Sequence, residues 1–151
     1  MLVRDIMTHE VKTAHPETLV REVALVMCFH KISGLPVISH EDELVGVISE
    51  KDILHAMFPQ LEEYMMQSPA TLDFETMERG YKDIVHQRVE ELMSTRVYAV
   101  EPDLPVLKAA SVMFRHRIRR IPVAEAGRLV GIVSVGDVHK AIFQENMGME
   151  M

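Results

Sequence analysis

The sequence predicts an α+β protein built from one strand-helix-strand-strand-helix unit used twice. Three observations carry this prediction. Val11, Pro16, Val20, Val23, Ala24, Met27, His30, Ile32, Pro36 and Val37 return 86 positions later as Val97, Pro102, Val106, Ala109, Ala110, Met113, His116, Ile118, Pro122 and Val123, and such a fixed period marks a duplicated supersecondary unit. Each copy has an amphipathic helical stripe followed by short apolar runs rich in Val and Ile. Each then passes from strand to helix through the same Gly-x-x-Ser-x-x-Asp pattern, Gly46 to Asp52 and Gly131 to Asp137.

In chain order, each copy opens with a lead-in segment, Val3 to Met7 or Val89 to Met93, ending in Met-Thr or Met-Ser before a short extended piece that Pro16 or Pro102 stops. The next helix carries apolar residues at 20, 23, 24, 27 and 28, and again at 106, 109, 110, 113 and 114, the spacing of one buried stripe. Thr18 is placed to cap the first helix, and Pro105 falls in the first turn of the second, where its missing N–H costs no bond. Cys28 and Met113 are expected in the core. Leu35 to Ser39 and Ile121 to Glu125 read as strands with an early proline. Leu44 to Ile48 and Leu129 to Val133 follow as buried strands after a polar turn one residue longer in the first copy. A three-stranded sheet with helices on one side buries little alone, so the copies are expected to pack as one module. Between them, Leu61 to Gln67 offers a helical turn or two, and Asp73 can cap a longer helix with Phe74, Met77, Tyr81, Ile84, Val85, Val89 and Leu92 on one face. The predicted divisions are 1–58, 59–88, 89–146 and a flexible tail 147–151.

The 151 residues are 48% hydrophobic and 26% charged, with no Trp and one cysteine. This is a soluble globular composition with an aliphatic and methionine core. A lone Cys28 excludes an internal disulfide and a cysteine zinc cluster, and no basic start with a long apolar run marks a leader or a membrane span. The cytoplasm is the expected location. The net charge of −7 argues against a broad nucleic-acid surface, so any anion site has to be local.

Positive charge gathers in Arg115, His116, Arg117, Arg119 and Arg120. Helix-end cations answer the macrodipole, which accounts for Arg115 and Arg117. Arg119 and Arg120 stand at the start of a strand, where guanidinium groups can grip phosphate. The first copy has Ser33 and Gly34 there, so the two sites differ in charge. Ser49 with Asp52 and Ser134 with Asp137 admit two readings. They form capping boxes, or they present a hydroxyl and a carboxylate to a polar ligand at a helix start. No catalytic set competes. The histidines show no HExxH spacing, there is no P-loop or GxSxG, His86 and Glu90 read as an exposed polar face, and Met147, Met149 and Met151 read as a frayed tail. Neither a catalytic residue nor a metal site is expected.

In their order and doubling, Asp5-Ile6-Met7 with Leu92-Met93, Gly34-Leu35-Pro36-Val37 with Arg120-Ile121-Pro122-Val123, and the two Gly-x-x-Ser-x-x-Asp motifs resemble tandem cystathionine β-synthase (CBS) domains, the Bateman module. The resemblance implies two repeats about a pseudo-two-fold axis, homodimers, and clefts for adenosine-containing ligands such as AMP, ADP, ATP, S-adenosylmethionine or NAD(H), acting as a sensor and not an enzyme. It implies that Asp52 and Asp137 bind the ribose hydroxyls, with Ser49 and Ser134 beside them. By the same resemblance Arg119 and Arg120 contact phosphate, and Thr13, Ala14, Leu35, Pro36, Tyr98, Ala99, Ile121 and Pro122 line the purine pocket. The long segment 59–88 exceeds the family's usual linker and is a lid or a partner surface. The competing expectation is a ligand-independent scaffold whose motifs only cap helices and whose central helix docks a regulated protein.

Overall fold

The computed structural model describes residues 1–58 and 65–148. The predicted turn at Leu61 to Gln67 falls largely outside these residues, as do Met149 and Met151 of the predicted tail. The helices are α1 (Val20–His30), α2 (Glu50–His55), α3 (Phe74–Arg79), α4 (Tyr81–Ile84), α5 (Val89–Leu92), α6 (Val106–Arg115) and α7 (Val135–Met147). The strands are β1 (Gly34–Ile38), β2 (Leu44–Ser49), β3 (Arg120–Glu125) and β4 (Arg128–Ser134). β1 pairs with β2, and β3 pairs antiparallel with β4. The first strand of each repeat narrows to a parallel bridge, Ala14 to Val37 and Val100 to Val123.

The chain forms two compact units that do not follow the sequence repeat. One holds Met1–Val11, Glu41–Leu44 and Val97–Met151; the other holds Lys12–His40 and Val45–Arg96. In the first unit Val3 N–H bonds Leu104 O at 2.9 Å, Arg4 N–H bonds Pro102 O at 2.9 Å, and Thr8 exchanges two backbone bonds with Ile132 at 2.9 and 3.0 Å. In the second, Val89 N–H bonds Thr18 O at 2.8 Å, Glu90 N–H bonds Pro16 O at 2.9 Å, and Ser94 exchanges bonds with Val47 at 2.9 and 3.0 Å. Each lead-in segment therefore serves the other repeat. Glycine makes this possible, because a Cβ on Gly131 would stand 2.8 Å from Met7 Sδ and from Thr8 O, and one on Gly46 would stand 2.8 Å from Met93 Sδ and 2.9 Å from Ser94 O.

Each unit has its own apolar core. Val3, Met113, Ile121, Val123 and Val133 are fully buried in one; Val20, Val37, Ile48 and Val89 are fully buried in the other. Each such side chain contributes about 1.5–3 kcal/mol of burial. The stripe of α1 buries Val20, Val23 and Met27, and that of α6 buries Val106, Ala109, Ala110 and Met113. Both helices stop in the same way. Lys31 and Arg117 take left-handed φ of 53° and 56°, while the next amides, Ile32 and Ile118, reach back to Met27 O and Met113 O at 3.2 and 2.9 Å, which satisfies the last carbonyls.

Several expectations are corrected. Cys28 is exposed, and its equivalent Phe114 is 67% exposed, because both lie past the edge of the stripe that Met27 and Met113 bury. Leu19, not Thr18, is the N-cap residue of α1; the Thr18 hydroxyl instead accepts the His15 N–H at 3.0 Å. Pro105 sits just before the first turn of α6 as its N-cap. The single helix expected from Asp73 onward is three short ones. Asp73 does cap α3 through Thr76 N–H at 3.1 Å, but the backbone at Val85 and Gln87 accepts bonds from Arg21 and Val20 N–H, both 2.9 Å, and Arg88 turns extended at φ −85°, ψ 151°. His86 and Glu90 consequently share no helix.

Candidate functional site

The site in the unit that contains the second repeat is set by the β3–β4 register. Arg120 stands opposite Ser134, the last residue of β4 and the N-cap of the 13-residue α7. Arg119 O accepts the Val135 N–H at 2.9 Å, which ties the strand start to the first helical residue. The left-handed turn after α6 brings Arg117 to the same place. Together Arg117, Arg119, Arg120, Ser134 and Gly136 face a cavity of about 650 Å³, floored by Met113, Phe114 and Ile118. Among the described residues no carboxylate pairs with these three arginines. Three guanidinium groups and the positive end of the α7 dipole thus converge on one volume, an arrangement that attracts anions.

Both Ser-x-x-Asp motifs form the capping box. Asp137 Oδ2 accepts Ser134 N–H at 2.8 Å while Ser134 Oγ accepts Asp137 N–H at 3.1 Å. In the first repeat Asp52 Oδ2 accepts Ser49 N–H at 2.8 Å and the Ser49 hydroxyl at 3.1 Å, and Ser49 Oγ accepts Asp52 N–H at 3.3 Å. In each half-buried carboxylate only Oδ2 is engaged. Among the described residues Oδ1 has no protein partner and retains its full acceptor capacity.

The remaining sequence-predicted residues divide. Leu35, Pro36, Ile121 and Pro122 are buried, so only their backbones could line a pocket, and the Pro36 and Pro122 carbonyls already accept Ala14 and Val100 N–H at 3.0 Å. Thr13 and Ala99 are exposed. The bridge register makes Val100 the counterpart of Ala14, one residue beyond the Tyr98-Ala99 pair. Tyr98 stacks on His116 with centroids 3.6 Å apart and planes 15° from parallel. None of Tyr98, Ala99, Ile121, Pro122 or Asp137 belongs to the arginine cavity's lining.

At the matching position of the first repeat, Ser33 O accepts Glu50 N–H at 2.9 Å, with Ser33 and Gly34 in place of the arginine pair. Glu50 opens α2 and borders an apolar groove of about 230 Å³ with Ala24, Met27, Ile53 and Leu54. The first repeat thus lacks the arginine pair and carries Glu50 where the second carries Val135, while Lys31 stands at the Arg117 position. Arg117, which the sequence assigns to the helix dipole, lines the cavity from the left-handed turn that Lys31 occupies in the first repeat.

A CBS domain family profile matches residues 3–59 and 89–144. An uncharacterized protein of Methanocaldococcus jannaschii is 30% identical over 94% of this chain and 91% of its own length. The crystal structure of CBSX2 from Arabidopsis thaliana in complex with AMP superposes with a TM-score of 0.72 at 28% identity, covering 96% of this chain and 98% of that one. The CBS domain pair of protein MJ0100, in complex with 5-methylthioadenosine and S-adenosyl-L-methionine, gives 0.68 at 25% identity, covering 96% and 98%.

Proposed function

The chain belongs to the CBS domain family as a tandem pair, a regulatory module, and from that premise we propose that it senses an adenine nucleotide of the AMP, ADP or ATP class in the cytoplasm. The observation that carries this reading is the convergence of Arg117, Arg119 and Arg120 on the start of α7 around one cavity, with no carboxylate among the described residues paired to them. Guanidinium pairs and helix-start amides bind phosphate. The free Oδ1 of Asp137 takes a ribose hydroxyl, and the backbone near Ala99 and Ile121 borders the purine. The same cations disfavour S-adenosylmethionine, a sulfonium, at this repeat. A ligand without phosphate suits the first repeat better, where Ser33 and Gly34 replace the arginine pair, Glu50 stands where Val135 does in the second repeat, and Asp52 keeps a free Oδ1.

Exposed Leu107, Phe114, Phe143 and Met147 on α6 and α7, with Leu25, Phe29 and Leu54 on α1 and α2, are apolar faces for a second copy in a homodimer. Ligand binding then shifts the dimer between shapes, or its affinity for a regulated protein, by the difference in its affinity for the two states. Melting in AMP, ADP, ATP, S-adenosylmethionine and NADH tests the reading. At about 100 times Kd a nucleotide adds about 2.7 kcal/mol, and Arg120→Ala should abolish most of that gain. No shift with any ligand would leave the scaffold reading in its place. Among the described residues no helix is long and apolar enough to cross a membrane.

A further inference from the structure

We propose that His15, Glu17 and His40 form a binding site for a first-row divalent metal ion of the Zn²⁺ class. The three residues each bring one ligand atom within 4.8 Å of the other two. They meet through the fold and not through spacing. The parallel bridge of Ala14 to Val37 lays His15 beside the end of β1, so that the His15 and His40 rings stack with centroids 4.5 Å apart. His40 Nε2 already bonds Glu17 Oε1.

The His15 ring is held as a ligand's ring is held. Its Nδ1 stands 2.9 Å from Ile38 O, and a carbonyl only accepts, so Nδ1 donates the proton and Nε2 of the neutral ring keeps its lone pair. Metal-bound imidazoles show this backing by a carbonyl, which fixes tautomer and orientation. The backbone beneath is fixed too. His15 N–H bonds Thr18 Oγ1 and Thr18 N–H bonds His15 O, both at 3.0 Å.

Two imidazoles and a carboxylate are a common donor set for zinc and leave a fourth position for water. Ligand atoms about 2.0–2.2 Å from a tetrahedral ion lie about 3.3 Å from one another, so the hydrogen-bonded His40–Glu17 pair must open to admit the ion between them and His15. His40 and Glu17, 75% and 47% exposed, are free to do so while His15 stays in place. The second repeat has Glu101 and Asp103 at the matching positions and no histidine in its β3–β4 turn, so the site is a property of this copy. An ion there would clamp the segment carrying Thr13 and Ala14 to the end of β1.

The full chain, stripped with a chelator, is titrated with ZnCl₂ by calorimetry and with Co²⁺ by visible absorption. One equivalent of Zn²⁺ and the intense d–d bands of low-coordinate Co²⁺ are expected. His40→Ala and Glu17→Gln, both surface changes that retain the far-UV spectrum, should each weaken Zn²⁺ binding roughly tenfold or more, while His139→Ala leaves it unchanged. Absence of saturable binding overturns the proposal, and so does Zn²⁺ affinity that either site variant leaves at the wild-type value.

Discussion

Asp137 is asked to do two things with two oxygens, and Asp137→Asn separates them. Oδ2 accepts the Ser134 N–H at 2.8 Å, and an asparagine carbonyl can take that bond unchanged. The amide nitrogen then replaces Oδ1, turning an outward acceptor into a donor. The capping function should survive, so the unliganded protein should melt within about 0.5 kcal/mol of wild type. The ribose function should not. A hydrogen bond to a charged group is worth about 1.5–3 kcal/mol, so nucleotide affinity should fall about 10- to 150-fold. Asp137→Ala loses both and should also cost about 1 kcal/mol of cap. Calorimetry with AMP and ATP, beside denaturant unfolding without ligand, reads the two effects independently. Asparagine binding as tightly as aspartate refutes the ribose assignment. An Asn variant as destabilised as the Ala variant refutes the reading that one oxygen carries the cap.

Three further outcomes follow from the packing. Gly131→Ala places a Cβ 2.8 Å from the Thr8 carbonyl, a backbone atom that cannot step aside, and should destabilise by about 1–3 kcal/mol in urea. Gly136→Ala, whose nearest neighbour would be Ser134 Oγ at 3.6 Å, should be neutral or stabilising, and equal losses for the two would contradict the close approach. Asp73 has its carboxyl below the ordinary range chiefly through the Thr76 hydroxyl bond. Its contribution is present above the unfolded carboxylate pKa and is lost as pH falls through the lower folded value; Thr76→Val should raise the Asp73 midpoint in an NMR titration. Phe143→Asp should yield a folded monomer by light scattering if α6 and α7 meet a second copy, and an unchanged mass would remove that interface.

Periodicity made the repeat, its strands and its helix stripes legible, because Val20, Val23 and Met27 are matched in kind at equivalent positions of the other copy. The capping boxes were legible because both partners lie within one turn. What could not be read was which copy each lead-in segment joins: Val3 to Met7 and Val89 to Met93 are alike, and either fits both glycine-lined strands by pattern alone. The break of the helix after Ile84 was hidden for a related reason. Its apolar stripe is continuous, and the bonds from Val20 and Arg21 that interrupt it are tertiary. The candidate site divided along the same line. Arg119 and Arg120 declared themselves by position, whereas Arg117 needed the left-handed turn, and Tyr98 was claimed by a ring, His116, far along the chain.

The exchange of lead-in segments also sets a timetable for synthesis. Residues 12–40 and 45–96, which share one core, are all made before Val97. Val3 and Met7, by contrast, belong with residues 97–151. At about 5–20 residues per second, Val3 waits on the order of ten seconds for Leu104 and Ile132 to leave the ribosome. Until Leu104 and Ile132 emerge, the apolar segment Val3 to Met7 has no strand to pair with.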